Sequence, residues 1–312
     1  MEAAQNINAV VTFAIGENYL RYAFSLADSF LLFNSKNNIE FFIITDLEIG
    51  STKKLDRKVK IITSNTLLQG EDVLLNKFKV RDYVKSKNIL LIDADSFICC
   101  NLRTIFDQNL NNDVLIWGNL LSKKDDWRGN SIDKLKNFTF DKLYKINGGV
   151  YLFMDTTKTE NFFQQCSKLL SEYDENGFAR VYGSYKDDEV VFSTALVLMD
   201  MEAFLPNNHI KVETMYFTRR NIQLFFGVSK FYNNNFDRGS VENIEVKNPM
   251  IICFDRVSVQ DFDYKLSSNV LKYAKNNYLI RIFFAVLTAI ILKAYYMLKY
   301  FKWNVANLKN IN

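Results

Sequence analysis

Apolar residues along this chain gather in short, β-branched-rich runs separated by stretches with helical spacing. The first run, Asn8–Ile15 (NAVVTFAI), reads as a strand, and Gly16-Glu17-Asn18 as the turn after it. Tyr19–Phe33 then places Tyr22, Leu26, Phe30 and Phe33 at helical intervals. Ile39–Thr45 (IEFFIIT) and the shorter Val59–Thr63 read as strands two and three. Glu71–Lys85 reads as a helix carrying Lys77, Phe78 and Arg81, and Ile89–Ile92 as a further strand. Strands alternating with helices predict parallel pairing through right-handed crossovers. The expected fold class is therefore α/β, with a Rossmann-like, mostly parallel central sheet and flanking helices.

Beyond residue 105 the pattern loosens. Asp113–Gly118 (DVLIWG) and Ile146–Met154 (INGGVYLFM) predict strands, and Met250–Phe254 (MIICF) a late one. Thr156–Tyr173 and Val190–Met199 predict helices. Leu120–Lys145 is charged and irregular, with Lys123-Lys124-Asp125-Asp126-Trp127-Arg128, and reads as a surface insertion: a solvated excursion or a mobile loop beside a site. Gly148-Gly149 inside a strand pattern predicts close approach of another backbone or a ligand. From Asp261 the chain turns helical, so residues 1–260 are expected to form one domain and 261–312 a helical tail. Ile282–Leu292 is uncharged and apolar, shorter than the roughly 20 residues a spanning helix needs. Arg281, Lys293, Lys299 and Lys302 flank it, with Tyr295, Tyr296, Tyr300 and Trp303 beyond. Three readings fit: an amphipathic helix on an anionic membrane surface, a packing or oligomer helix, and a spanning segment.

Candidate chemistry concentrates where Ile89–Ile92 ends in Asp93-Ala94-Asp95. Residues i and i+2 of extended chain point to one side, so both carboxylates can aim at one point beyond the strand's carboxyl end. That is where open α/β sheets bind ligands. Two like charges so close call for a cation, and Mg²⁺ takes one or two carboxylates plus substrate phosphates. The bland reading of the same tripeptide is a solvated loop with a helix N-cap.

Composition narrows the choice. Hydrophobic content of 48% and charged content of 24% over 312 residues fit a well-cored globular protein. With 2 Pro and 11 Gly there is little room for flexible linkers. A net charge of +4, without a basic stripe interleaved with aromatics, speaks against nucleic acid as partner. Cys99, Cys100, Cys166 and Cys253 form no C-x-x-C pair, which suits reduced thiols in the cytoplasm. The amino terminus lacks the basic region of a signal peptide, so the expected location is cytoplasmic, with peripheral contact to the cytoplasmic face of a membrane through the tail.

Four segments, taken together and in order, resemble glycosyltransferase family 8, the retaining enzymes that include glycogenin and lipopolysaccharide sugar transferases. Val11-Thr12-Phe13-Ala14 with Asn18-Tyr19 looks like that family's first strand and nucleotide-contacting turn. Asn76-Lys77-Phe78 looks like its Thr-Lys-Leu segment. Asp93-Ala94-Asp95-Ser96 with Asn101-Leu102 and Ile105-Phe106 is similar to its D-A-D-T…N-I-x-x-L-F pattern, the DXD motif in extended form. Asn147-Gly148-Gly149-Val150 resembles its N-[SA]-G-V strand, and Asp187-Asp188-Glu189 sits where the family has D-Q before an apolar helix. The likeness covers residues 8 to 200.

The resemblance implies a GT-A fold, with residues 1–105 as the nucleotide-binding half and 106–260 as the acceptor half. It implies a nucleotide-sugar donor, usually a UDP-sugar, with Mn²⁺ or Mg²⁺ as cofactor. It implies that Asp93 and Asp95 bind metal and donor diphosphate and that Lys77 contacts the donor. Ala14 and Tyr19 would hold the nucleotide, Asn147 and Gly148 would line the sugar site, and Asp188 or Asp187 would meet the transferred sugar or the acceptor. The acceptor would be a saccharide, a lipid-linked sugar or a protein. The family's third metal ligand is a late His in H-x-x-G-x-x-K-P-W. The one His here, His209, stands outside that pattern, which leaves Asp255 of the late strand, or the diphosphate itself, to complete the metal.

The expected reaction is metal-assisted glycosyl transfer to an acceptor hydroxyl through an oxocarbenium-like state. The alternative is a catalytically impaired relative that binds a glycan, a nucleotide sugar or a membrane partner. A nucleotidyltransferase fits less well, because no G-x-G-x-R-type loop follows the first strand.

Overall fold

The structure is a computed structural model. It describes residues 5–50, 56–108, 112–122, 125–135, 137–138, 141–205, 207, 209–217, 219–224, 227–233, 244–255 and 258–274, with residues 283, 286–287, 290–291, 294–295 and 298 of the tail. Two compact units result: 1–24, 36–94 and 102–207 form one, and 25–35, 95–101 and 208–312 the other.

The first unit is built on a six-stranded sheet. Strand β1 (Gln5–Ala14) pairs in parallel with β2 (Ile39–Thr45), which pairs in parallel with β3 (Val59–Thr63). Helix α1 (Gly16–Asn34) makes the crossover between β1 and β2. The chain then returns to the other side of β1, where β4 (Ser86–Ile92) pairs with it in parallel. Strands β6 (Val114–Leu121) and β7 (Leu143–Met154) complete the order β3-β2-β1-β4-β7-β6, both antiparallel to their neighbours. The sheet is thus α/β and mostly parallel, as the alternation of elements predicted. The order reverses between β1 and β4, which makes their carboxyl ends the switch point where such sheets take ligands.

Burial explains the residue choice in β4. Ile89, Leu90, Leu91 and Ile92 are 0–1% exposed, because helices or neighbouring segments cover both sheet faces. Helix α4 (Thr157–Ser171) is capped by Thr156, whose hydroxyl accepts from the Thr159 amide at 3.2 Å. Helix α5 (Asp188–Leu198) is buried from Asp188 through Leu196. Its Phe192 ring lies 4.4 Å from Phe78, 4.8 Å from Tyr151 and 5.8 Å from Phe162. Apolar contact all round this short helix fixes where its amino terminus falls.

Several expectations are corrected here. Gly16-Glu17-Asn18 is no turn but the start of α1, entered through the left-handed backbone of Gly16 (φ 79°). The predicted Glu71–Lys85 helix is a 3₁₀ segment over Gly70–Lys79 followed by one turn of α-helix, α2 (Val80–Tyr83). Inside it the Asn76 carboxamide accepts from the Leu68 amide and donates to the Leu68 and Val73 carbonyls at 2.8–2.9 Å, local bonds that compete with regular helix. The Leu120–Lys145 insertion is no solvated excursion. Its ends belong to β6 and β7, and Trp127, Ile132 and Leu135 are buried in the main core. Lys123 and Lys124 lie outside the described residues.

The second unit holds segments the periodicity did not reveal. Strand β5 (Ser96–Ile98) pairs antiparallel with β14 (Ile251–Cys253), which pairs in parallel with β10 (Lys211–Glu213). Strands β11 (Arg219–Gln223), β12 (Val228–Asn233) and β13 (Ile244–Lys247) form an antiparallel sheet. Helix α6 (Phe262–Ala274) packs Tyr264 on Phe97 (4.8 Å between rings), and Ser268 bonds Ser25 at 2.5 Å. Tyr295 stacks on Phe262 at 4.7 Å, and among the described tail residues Phe283, Val286, Leu287, Ile290 and Leu298 are exposed. Arg281, Ile282, Leu292, Lys293, Tyr296, Lys299, Tyr300, Lys302 and Trp303 lie outside the described residues. Among those described, no helix is long and apolar enough to cross a membrane.

Candidate active site

Strand β4 delivers Asp93 to the sheet's carboxyl edge. The β4–β7 ladder runs to Ile92 opposite Val150, and the Asp93 amide adds a further bond to the Gly149 carbonyl at 3.0 Å. That register sets Asp93 beside Gly148-Gly149. From the 3₁₀ segment, Lys77 reaches across. Its ammonium lies 2.9 Å from Asp93 Oδ1 and 3.0 Å from Asp188 Oδ2, and it donates to the Gly148 carbonyl at 3.1 Å. It also lies 5.4 Å from the centre of the Tyr151 ring. Tyr151, fully buried on β7, donates its hydroxyl to Asp188 Oδ2 at 3.1 Å.

A second cation meets the neighbouring carboxylates. Asp187 caps α5 by accepting from the Glu189 amide at 3.1 Å. Glu189 accepts from the Gly148 amide at 2.9 Å. The Arg128 guanidinium lies 2.8 Å from Glu189 Oε2 and 3.7 Å from Asp187 Oδ1. Gly148 is therefore gripped on both sides of its peptide, by Glu189 at the nitrogen and Lys77 at the oxygen. A Cβ on Gly148 would stand 2.7 Å from Glu189 Oε1 and 2.8 Å from the Tyr151 hydroxyl, so only glycine fits.

Four carboxylates (Asp93, Asp187, Asp188, Glu189) thus face two cations (Lys77, Arg128) in a mostly buried patch. The imbalance shows in proton affinity. Burial raises Glu189 to about 8, reinforced by Asp187 and Asp188 and opposed by Arg128. Burial, with Asp188 beside it, raises Asp187 to about 6. Burial alone would lower the Lys77 ammonium, but Asp188 and Asp93 more than reverse this and hold it protonated well above its ordinary value. Burial, then the same carboxylates, push the Tyr151 phenol far up, so it stays a donor.

Of the residues expected from sequence, Lys77, Asp93, Gly148, Asp187 and Asp188 come together here. Ala14 ends β1 fully buried at the switch point, and Tyr19 stands exposed on α1 with its ring against Tyr22. Asn147 lies on β7, its side chain outside the described ones. Asp95 opens the segment that belongs to the second unit, where its carbonyl accepts from the Phe254 amide at 3.0 Å. Asp255 uses its carboxylate to accept from the Ser258 amide at 2.7 Å, and His209 sits exposed in the turn before β10. Arg256 lies outside the described residues. Among the described residues no group of three His, Cys, Asp or Glu side chains is placed to hold a metal. By their chemistry alone, the carboxylates expected from sequence, Asp93 and Asp95, are hard oxygen donors of the kind a Mg²⁺- or Mn²⁺-type ion takes when substrate phosphates complete it.

Sequence reasoning passed over Arg128 and Glu189. Glu189 stands in the Asp187-Asp188-Glu189 run that resembles the family's D-Q, a likeness that assigns it no role of its own. Arg128 stands in the charge run of an insertion that reads equally as a solvated excursion or a mobile loop beside a site, although Trp127 before it and Gly129-Asn130 after it signal a tight turn anchored in a core.

The chain matches no family model, and no curated protein matches its sequence. Solved structures match its fold. A galactosyltransferase, LgtC, in complex with donor and acceptor sugar analogues, superposes with a TM-score of 0.52 at 12% identity, covering 86% of this chain and 95% of that one. The fold is that of a GT-A glycosyltransferase. An active-site mutant of LgtC agrees, with a TM-score of 0.53 at 14% identity over 85% of this chain and 95% of that one.

Proposed function

We propose that this protein is a glycosyltransferase of the family 8 type, moving a hexose from a nucleotide sugar, a UDP-sugar, to an acceptor hydroxyl with retention. One observation carries the reading: in a GT-A fold, Lys77 joins Asp93, at the strand end by the switch point, to Asp188, at the start of α5, within 2.9–3.0 Å. A diphosphate needs the Lys77 ammonium and a cation held at Asp93, and a sugar carrying developing positive charge needs the Asp188 carboxylate.

Each residue then has a role. Lys77, protonated and held by three oxygens, supplies positive charge for the departing nucleoside diphosphate. Asp188, 3% exposed and oriented by Lys77 and Tyr151, supplies negative charge for the oxocarbenium-like sugar. Asp187 caps α5 and keeps Asp188 at the helix start. Gly148 and Asn147 border the transferred sugar from β7, Gly148 with its Cα packed against Glu189 and Tyr151. Ala14 and Tyr19 border the nucleotide. Asp93 and Asp95 would hold Mn²⁺ or Mg²⁺, which when bound supplies Lewis-acid neutralisation of the diphosphate. The acceptor is a saccharide, a lipid-linked sugar or a protein hydroxyl, and the tail contributes contact with an anionic membrane surface on the cytoplasmic side.

Titration calorimetry with UDP-sugars, with and without Mn²⁺, tests this. Metal-dependent binding of at least one UDP-sugar is expected, together with UDP release when an acceptor is present. Binding without turnover on any acceptor would instead indicate a catalytically silent binder of glycans or nucleotide sugars, and no binding at all would remove the reading.

A further inference from the structure

Arg128 pays a backbone penalty to be where it is. Its φ is 55°, a left-handed conformation that costs a side-chain-bearing residue free energy and persists only where its surroundings impose it. The surroundings are explicit. Trp127 and Asn130 exchange backbone bonds (Trp127 amide to Asn130 carbonyl 2.7 Å, the reverse 2.9 Å), closing a two-residue turn over Arg128 and Gly129. Both turn residues have positive φ, Gly129 at 85°, as a mirror-image turn requires. Trp127 is buried at 4% exposure and Asn130 at 0%. The Asn130 carboxamide accepts from the Ala179 amide at 2.8 Å, and the Gly129 amide donates to Asp126 Oδ1 at 2.7 Å. Glycine or asparagine would occupy the first turn position at lower cost, yet the chain places arginine there.

What the turn achieves is the aim of one guanidinium. Arg128 meets Glu189 Oε2 at 2.8 Å, while Glu189 Oε1 accepts from the Gly148 amide at 2.9 Å. The Gly148 carbonyl in turn accepts from Lys77 at 3.1 Å. The links form one chain of polar contacts from the β6–β7 connection to the Lys77–Asp188 pair.

We propose that Arg128 is a positioning residue: it clamps Glu189 onto the Gly148 amide, and so sets the Gly148 carbonyl that orients Lys77 for the departing diphosphate. This rests on the glycosyltransferase reading for its consequence, but the clamp itself is a local fact that can be probed without turnover. A planar fork suits the task, since guanidinium can engage Glu189 while spanning toward Asp187 at 3.7 Å, which a lysine point charge does less well.

The decisive experiment is amide hydrogen exchange at Gly148, read by NMR beside other β7 amides, in wild type, Arg128→Lys and Arg128→Ala. Arg128→Ala is expected to raise Gly148 exchange roughly tenfold relative to the rest of β7, the size of one lost hydrogen bond. Arg128→Lys should restore most of it. With the best UDP-sugar donor, kcat is expected to fall about tenfold in Arg128→Ala and recover in part in Arg128→Lys, as a misplaced catalytic group predicts. Should Arg128→Ala fail to fold, Glu189→Gln is compared with Glu189→Gln carrying Arg128→Ala, and Gly148 protection should be lower in the double variant than in Glu189→Gln alone. Unchanged Gly148 exchange overturns the proposal, and so does a uniform loss along β7, which would mark a merely structural pair. A wild type that releases no UDP from any donor sinks the glycosyltransferase reading, and the exchange result still decides the clamp.

Discussion

Two cations serve one patch of carboxylates, and they do so from different parts of the fold. Lys77 comes from the 3₁₀ segment before β4, is 11% exposed, and is surrounded by Asp93, Asp188 and the Gly148 carbonyl. Arg128 comes from the connection between β6 and β7, is 40% exposed, and meets Asp187 and Glu189. On the proposed glycosyltransferase reading, the first would meet the diphosphate and the sugar. The second sits one contact further back and acts through Glu189 and Gly148. Burial separates their energetics as well. A charge lost from the interior strands its partners at full desolvation cost, whereas water can replace part of what a half-exposed guanidinium does.

The sharpest break of this comparison is Lys77→Ala. It leaves the buried Asp188 without its cation, so unfolding in denaturant should show a loss of about 3–5 kcal/mol. Sugar transfer should fall at least about 10²-fold, the scale of removing one preorganised charge stabiliser. A variant with near-normal kcat would remove Lys77 from the chemistry.

Next comes Gly148→Ala. The added methyl would collide with Glu189 and Tyr151 at 2.7 and 2.8 Å, so both cations' partners must shift together. The expected stability loss is about 1–3 kcal/mol, the usual scale of overpacking, again by denaturant titration. A neutral substitution would show that the grip on this peptide is loose.

Arg128→Ala should cost less, about 1–2 kcal/mol after discounting for its exposure. If it destabilised as much as Lys77→Ala, the distinction between an interior charge and an outer clamp would collapse.

A separate break concerns pH. Asp187 and Glu189 both have native proton affinities raised, from 3.8 to about 6 and from 4.5 to about 8. The native state therefore binds more protons than the unfolded chain between these limits, so the stability these groups contribute is present at the acidic end and drains away as pH rises through 6 and then 8. Melting temperature should decline across that window, and Glu189→Gln should flatten its upper part. A melting temperature that rose across the window would contradict the excess of buried carboxylates.

The same pair of residues shows what could be read from sequence. Lys77 and Asp93 were legible because each belongs to a local pattern: Asp93 ends a run of four apolar residues, and both fall in segments resembling a known family. The mostly parallel sheet was legible for the same reason, since strand and helix periodicities are local. Arg128 was not, because its role depends on a left-handed turn pinned by Trp127 and by Asn130's bond to the Ala179 amide 49 residues away. Nor were β10 through β13, whose three to six residues are stabilised by pairing rather than by their own periodicity. Helix propensity around Asn76 pointed the wrong way, since a carboxamide bonding its own neighbourhood favoured 3₁₀ geometry. Local chemistry announced the inner shell of charge, and long-range contacts built the outer one.

One measurement bears most directly on the central claim: UDP release from a panel of UDP-sugars with Mn²⁺ and candidate acceptors, for wild type and Asp95→Ala. Wild type should release UDP in response to acceptor with at least one donor, and Asp95→Ala should lose this release at an unchanged melting temperature. No release from any donor, or equal release by the folded variant, would contradict the claim.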